Sequence, residues 1–324
     1  MIELENISKT YKVGRRNAGF KEAVKSLFKK EMVEVEALKN ISFKINEGEI
    51  VGYIGPNGAG KSSTIKIMCG ILTPEHGRCV INGMVPWLDR KKYVKQIGVV
   101  FGQRSQLWWD VPVIDSFELL KDIYEIDDTV YQRNVKELSE LLGLETLLRT
   151  PTRSLSLGQR MRCEIAAALL HDPKILFLDE PTIGLDAVSK VAVRNFIKKI
   201  NETRHTTIIL TTHDMQDIEA LTSRILLIGH GRILFDGPLE TLKKRYGDYK
   251  FIRLEHHGGT ILPKEGLVVN EEDQQIVKLT LDQEKLSINE AIDYLSTQVD
   301  ILDLTIDPPF IDDIIISLYK EYQI

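Results

Sequence analysis

A chain of 324 residues, 43% hydrophobic and 27% charged, has room for one large folded domain and a small one, and excludes a disordered or fibrous polymer. Its formal net charge of -5 at pH 7 gives no global reason to expect a nucleic-acid partner. Three scattered cysteines, Cys69, Cys79 and Cys163, make neither a disulfide framework nor a metal knuckle and fit a reducing compartment.

The acidic start Met1-Ile2-Glu3-Leu4-Glu5 is unlike a secretory leader. No run of about 18 apolar residues occurs, so any membrane pore served by this chain is expected from other polypeptides. Residues 1–11 read as a strand ending at Tyr11. Residues 12–34 form a basic insert, in which Phe20, Ala23, Val24, Leu27 and Phe28 recur at helical spacing among Lys21, Lys25, Lys29 and Lys30. Such a helix at 20–30 either touches a membrane surface or a membrane partner, or packs on the chain's own sheet. A second strand is expected near 41–45, and 50–54 is a short apolar run suited to a buried parallel strand. Residues 110–172 look mainly helical. Two more buried strands are expected at 175–178 and 207–210, then a strand–turn–strand at 225–235 broken by Gly229-His230-Gly231. Beyond about residue 245 the pattern becomes small α+β, with strands near 251–255, 267–270, 276–281 and 300–306. Ser287 and Glu290 form a capping box, and a terminal helix follows Pro308-Pro309.

Gly55-Pro56-Asn57-Gly58-Ala59-Gly60-Lys61-Ser62-Ser63 has the phosphate-loop pattern. Its glycines let several N–H groups converge on one oxyanion, and the following helix adds the positive end of its dipole. Lys61 is suited to the β- and γ-phosphates, Ser62 to Mg²⁺ and Ser63 to the α-phosphate. The apolar strand at 175–178 ends in Asp179-Glu180, at the strand end where ligands of doubly wound sheets collect. Asp179 is placed to hold Mg²⁺ through its water shell, and Glu180 to deprotonate an attacking water. His213 follows the next apolar strand and is placed to link the γ-phosphate to Glu180.

Leu155-Ser156-Leu157-Gly158-Gln159-Arg160, which opens a helix with Ser156 23 residues before Asp179, resembles the signature of the ATP-binding cassette family. Leu157 replaces the family's usual first glycine. Gln103 matches the family's sensing glutamine, Gly184-Leu185-Asp186 the loop after the acidic pair, and Tyr11 the aromatic that stacks on adenine. The resemblance runs over roughly residues 1–240. It implies an α/β phosphate-loop cassette with a mainly parallel sheet core, an antiparallel β-subdomain and a helical subdomain at about 104–172. Residues 1–244 are then the ATPase domain and 245–324 a small α+β accessory domain. Expected nucleotide contacts are Tyr11, Gly55, Asn57, Gly58, Gly60, Lys61, Ser62, Ser63, Ser156, Gly158, Gln159 and Asp186. Expected Mg²⁺ ligands are Ser62, Gln103 and Asp179, and the expected catalytic groups are Glu180, His213 and Gln103.

The resemblance also implies a dimer, in which Ser156 and Gly158 of one cassette cap the γ-phosphate held by Lys61 of the other. ATP is expected to close this dimer, expected to be of two identical chains, and hydrolysis to reopen it. Residues 101–110, with Arg160 and Arg162, resemble a bacterial exporter subgroup with ABC-2-type permeases, some labelled viologen or drug exporters. That places the chain in the cytoplasm, peripheral at the inner face of the cell membrane. Trp108 and Trp109 are then either permease anchors or core of the helical subdomain. The competing expectation is a soluble cassette ATPase acting on ribosomes or DNA. One cassette without sustained heptads speaks against it.

Overall fold

A computed structural model describes every residue except 16–30, 103, 246–247, 274, 308–310 and 323–324. The chain divides into two compact units, Met1–Gly237 and Pro238–Gln323.

The first unit is built on two sheets. A six-stranded sheet has the order β5-β6-β7-β3-β8-β9. Its members are β3 (Ile50–Ile54), β5 (Ile97–Phe101), β6 (Ile175–Asp179), β7 (Thr207–Thr211), β8 (Arg224–Gly229) and β9 (Arg232–Pro238). The strands from β5 to β8 pair in parallel. Val51 to Ile54, Leu176 to Leu178 and Ile208 to Leu210 are essentially unexposed, because a parallel sheet is covered on both faces. His230 (φ 47°) and Gly231 (φ 76°) supply the two left-handed residues of the tight β8–β9 turn.

An antiparallel sheet of order β2-β1-β4 joins β1 (Ile2–Arg15), β2 (Glu31–Ile45) and β4 (His76–Ile81). The first two strands are longer than the sequence pattern predicts. Residues 12–15 and 31–34, assigned to the basic insert, continue the ribbon from Lys12↔Glu34 to Arg15↔Glu31. The Lys12–Glu34 pair lies at 3.4 Å, while Met32, Val33 and Val35 are exposed, so no one-sided apolar alternation marks these ends. The helix expected at 20–30 lies outside the described residues.

Helices surround these sheets: α1 (Lys61–Met68), α2 (Arg90–Tyr93), α3 (Val113–Tyr124), α4 (Asp128–Leu142), α5 (Leu157–Leu169), α6 (Ala187–Arg204) and α7 (Met215–Leu221). Val113, Phe117, Tyr131, Leu138, Leu142, Met161 and Ile165 from α3, α4 and α5 belong to one apolar cluster. Asp127 caps α4 by accepting from the Thr129 and Val130 N–H groups.

The second unit carries α8 (Leu239–Arg245), an antiparallel sheet of order β11-β12-β10-β13, α9 (Ile288–Gln298) and α10 (Ile311–Glu321). The strands are β10 (Tyr249–His257), β11 (Leu267–Asp273), β12 (Ile276–Asp282) and β13 (Asp300–Asp307). Ile252, Leu254, Val277, Leu279 and Leu281 face Ala291 and Leu295 of α9 in one core. The Ser287/Glu290 capping box opens α9, and Arg245 pairs with Glu321 at 2.7 Å. His256 and His257 end β10, and the left-handed Gly258 and Gly259 make the turn. Among the described residues no helix is long and apolar enough to cross a membrane.

Candidate active site

Parallel register brings the chemistry to one edge. Phe101 stands opposite Asp179, and Asp179 opposite Thr211. Gly102, Glu180 and Thr212 therefore leave three adjacent strands at one level. The loop after β3, the neighbour of β7 on its other side, opens at the same carboxyl ends.

That loop is shaped by backbone sterics. Gly58 has φ 81° with open space where a Cβ would stand, so its conformation and not packing asks for glycine. Gly60, at φ 115°, caps α1, and a Cβ there would come within 2.7 Å of the Ala37 carbonyl. Lys61 is 8% exposed; its Nζ donates to the carbonyls of Gly55 and Pro56. Burial pulls the Lys61 pKa down, and the nearby Glu180 and Asp179 carboxylates push back. A cavity of about 470 Å³ is lined by Asn57, Gly58, Gly60, Lys61, Ser62 and Ser63 on one side and by Gly102, Asp179 and Glu180 on the other. Tyr11 reaches the loop, with its hydroxyl 3.2 Å from Ser63 Oγ. Gly55 abuts β8, where a Cβ would meet the Ile228 carbonyl at 2.2 Å.

The acidic pair is held from its neighbours. Thr211 Oγ1 donates to Asp179 Oδ1 at 2.5 Å. The Glu180 N–H donates to the Thr211 carbonyl at 2.9 Å, and Glu180 adopts φ 55°, a left-handed conformation uncommon for a residue with a side chain. Its Oε1 lies 3.0 Å from His213 Nε2. The Gly102 N–H donates to the Asp179 carbonyl at 2.8 Å. Gln103 lies outside the described residues.

Sequence reasoning missed the support beneath Glu180 and His213. Asp217 of α7, fully buried, accepts from the Thr182 hydroxyl and, at 2.9 Å, from the Thr212 hydroxyl. Arg194 of α6 pairs with it at 2.5 Å. The available signal was a carboxylate among the apolar positions Met215, Ile218 and Leu221 of one helix.

Ser156, Gly158 and Gln159 lie apart from that cavity lining, at the start of α5. Ser156 Oγ accepts the Gln159 N–H at 3.2 Å, and Gln159 Oε1 accepts the Ser156 N–H at 2.9 Å. This capping box occupies the Gln159 side chain and leaves an exposed helix N-terminus beside Ser156. Gly158 is needed for packing: a Cβ there would meet Ser189 Oγ at 2.6 Å. Asp186 caps α6 through the Ser189 N–H and hydroxyl, which hold its carboxyl below the usual carboxylate range. Leu157 covers the left-handed Gly184, where a Cβ would meet Leu157 Cδ2 at 2.8 Å. The leucine at the family's glycine position is thus accommodated by a glycine facing it. Trp108 and Trp109 are 59% and 53% exposed, so neither belongs to the helical core.

Residues 38–183 match the ABC transporter family model. The chain is 30% identical over 220 residues to the ABC transporter ATP-binding protein NatA of Bacillus subtilis, which covers 67% of this chain and 89% of that protein. It is 30% identical over 258 residues to the linearmycin resistance ATP-binding protein LnrL of the same organism, with 80% and 76% covered. A solved dimeric, post-hydrolysis ATP-binding cassette bound to ADP and Pi superposes with a TM-score of 0.62 at 29% identity, covering 74% of this chain and 99% of that one.

Proposed function

The chain belongs to the ABC transporter family as an ATP-binding subunit, and from that premise we propose that it hydrolyses ATP as a dimer with a second copy to drive export through separate ABC-2-type permease subunits. The observation that carries this reading is the shared strand edge, where the phosphate loop faces an acidic pair whose Glu180 Oε1 stands 3.0 Å from His213 Nε2. The resistance role in the name of one relative supports export. The transporter name of the Bacillus subtilis relative NatA favours this reading over one in which the chain acts on ribosomes or DNA.

In this proposal the N–H groups of Gly58 to Ser63 and the α1 dipole hold the β- and γ-phosphates, and Lys61 adds a point charge. Asn57 and Gly55 shape the loop, and the Tyr11 ring stacks on adenine. Ser62, Asp179 and Gln103 would hold Mg²⁺. Their hard oxygen donors suit it, and Ser62 and Asp179 line the same cavity. When bound, Mg²⁺ neutralises phosphate charge. Glu180 takes the proton of the attacking water at its carboxylate, and His213 Nε2 keeps that carboxylate oriented. Ser156 and Gly158 stand apart from the chain's own cavity lining and cap the partner's γ-phosphate from the α5 N-terminus, with Gln159 and Asp186 fixing the two helix starts. Trp108 and Trp109 anchor the permease, and the basic stretch 20–30 touches the membrane surface at the cytoplasmic face.

The test is Glu180→Gln in the full chain. The expected result is loss of ATP turnover, an ATP-dependent dimer in light scattering, and recovery of polytopic membrane proteins by affinity capture from detergent-solubilised membranes. A monomer at saturating ATP, or ribosomal proteins in place of membrane proteins, would refute the reading.

A further inference from the structure

Glu164 is a carboxylate where packing asks for an apolar side chain. It is 4% exposed on α5, between the buried Cys163 and the run Ile165 to Leu169. A charge in such a place is costly unless its oxygens are satisfied. The described hydrogen-bond partners of its carboxylate lie in the loop that leaves β5, and the Arg160 charge on its own helix also favours the ionised form. The Ser105 hydroxyl donates to Oε1, the Gln106 N–H donates to Oε2 at 3.1 Å, and Gln106 Nε2 donates to the Glu164 carbonyl at 3.0 Å. Ser105 Oγ also accepts the Leu107 N–H at 3.1 Å, which tightens the loop around the same point. Burial pushes the Glu164 carboxyl above its ordinary value, and hydrogen bonds from Ser105, Gln106 and Leu107 draw it partway back.

The two ends of this loop are fixed to different parts of the machinery. At its start the Gly102 N–H holds the Asp179 carbonyl, and a Cβ on Gly102 would stand 2.6 Å from the Glu180 carbonyl. Further along, the Arg153 N–H holds the Trp109 carbonyl at 3.0 Å, and the Arg160 guanidinium lies 6.0 Å from the Trp109 ring centroid. Glu164 lies between, about 12 Å along α5 from Ser156 at the helical rise per residue.

We propose that Glu164 is a positioning residue that ties the loop leaving β5, beside the acidic pair, to the signature helix, so that the acidic pair of one site sets the placement of Ser156 and Gly158 against the nucleotide of the partner. This rests on the dimeric ATPase reading given above. Among the described residues Glu164 has no hydrogen bond to the phosphate loop, Asp179, Glu180 or His213, so its removal acts on dimer closure and spares nucleotide binding to the single chain.

The experiment compares Glu164→Leu, Glu164→Gln and Ser105→Ala, each in full-length Glu180→Gln chain, with the Glu180→Gln parent. Leucine fills the site and matches the apolar surroundings, so folding survives and thermal stability holds or rises. Affinity for a fluorescent ADP analogue is expected to stay at the parent value. ATP-driven dimerisation is expected to weaken about tenfold or more, the shift produced by losing a hydrogen bond to a charged group. Glutamine is expected to restore part of it, since its amide oxygen can take the place of the carboxylate oxygen that accepts the Gln106 N–H, while Ser105 accepts from the amide NH₂. Ser105→Ala combined with Glu164→Leu is expected to be no worse than Glu164→Leu alone. A leucine variant that dimerises like its parent overturns the proposal, as does one whose ADP affinity falls in step with dimerisation. Failure of the parent to dimerise on ATP strikes the dimeric ATPase reading itself and takes the proposal with it.

Discussion

Asp217→Ala tests whether the buried network beneath Glu180 and His213 is structural cement for the site. The carboxylate is fully buried, pairs with Arg194 at 2.5 Å and accepts from Thr182 and Thr212. Removing one partner of a buried pair costs about 3–5 kcal/mol, because the other charge stays behind. Arg194 keeps a second carboxylate, Asp214 at 3.3 Å, which also holds Lys190. That places the cost at the lower end, about 3 kcal/mol. For a unit of this size, Met1–Gly237, about 3 kcal/mol corresponds to a fall in Tm of about 6–12 °C, read by differential scanning calorimetry. Thr182 sits two residues beyond Glu180, and Thr212 adjoins His213. The kcat for ATP is therefore expected to fall while ADP affinity holds. Asp217→Asn, which keeps one acceptor oxygen, is expected to lie between wild type and alanine. A Tm change below about 2 °C with unchanged kcat would refute the assignment of this network as the support of the two loops.

Lys61→Ala is expected to abolish the thermal stabilisation by ATP, which for a ligand at a hundred times its Kd amounts to about 2.7 kcal/mol; an undiminished ATP-dependent Tm shift would count against the phosphate-loop assignment. His171, whose ring stacks on Tyr124 at 4.0 Å and whose Nε2 lies 2.9 Å from the Ile97 carbonyl, is held neutral by burial, with its pKa pushed down to about 4. The folded pKa lies below the unfolded value of about 6.5, so its contribution is complete above that pH and is lost as pH falls toward 4. At about 1.36 kcal/mol per pH unit this is about 3 kcal/mol, and His171→Gln is expected to flatten the acid limb of a pH–stability curve; an unchanged limb would sink it. Replacing Trp108 and Trp109 together by alanine is expected to leave Tm unchanged, because both rings are exposed, and to abolish membrane-protein recovery by the Glu180→Gln chain; recovery at parent level would remove them as anchors.

What the sequence made legible was local in origin. β3, β6 and β7 announce themselves as short apolar runs because both faces of a parallel sheet are covered. The Ser287/Glu290 box is readable because its two partners are three residues apart. The distal ends of β1 and β2 are not readable, since they mix charges with exposed Met32, Val33 and Val35 and gain strand structure only from pairing with each other. Glu164 and Asp217 are likewise opaque as sequence. Each reads as one charge among apolar helix residues until Ser105, 59 positions away, or Thr182, 35 positions away, is brought to it by the fold. The phosphate loop was the opposite case, because positive φ at Gly58 and Gly60 is a property of the residue type itself.

Glu180 shows why these distant supports belong to the site. A side-chain-bearing residue at φ 55° is held at a cost of about 1–2 kcal/mol, so the surrounding structure has to fix it. Its N–H is taken by the Thr211 carbonyl, and its own carbonyl packs so close to Gly102 that no Cβ fits there. A glycine at 180 would relieve the strain but leave no carboxylate 3.0 Å from His213. The requirement for glycine is thereby displaced to position 102, one residue beyond the strand beside it. That substitution of one constraint for another ties the loop leaving β5 to the backbone of Glu180. The same loop binds Glu164 of α5, the helix whose N-terminus Ser156 caps. One strained residue is therefore linked, through the loop leaving β5, to the helix that Ser156 caps.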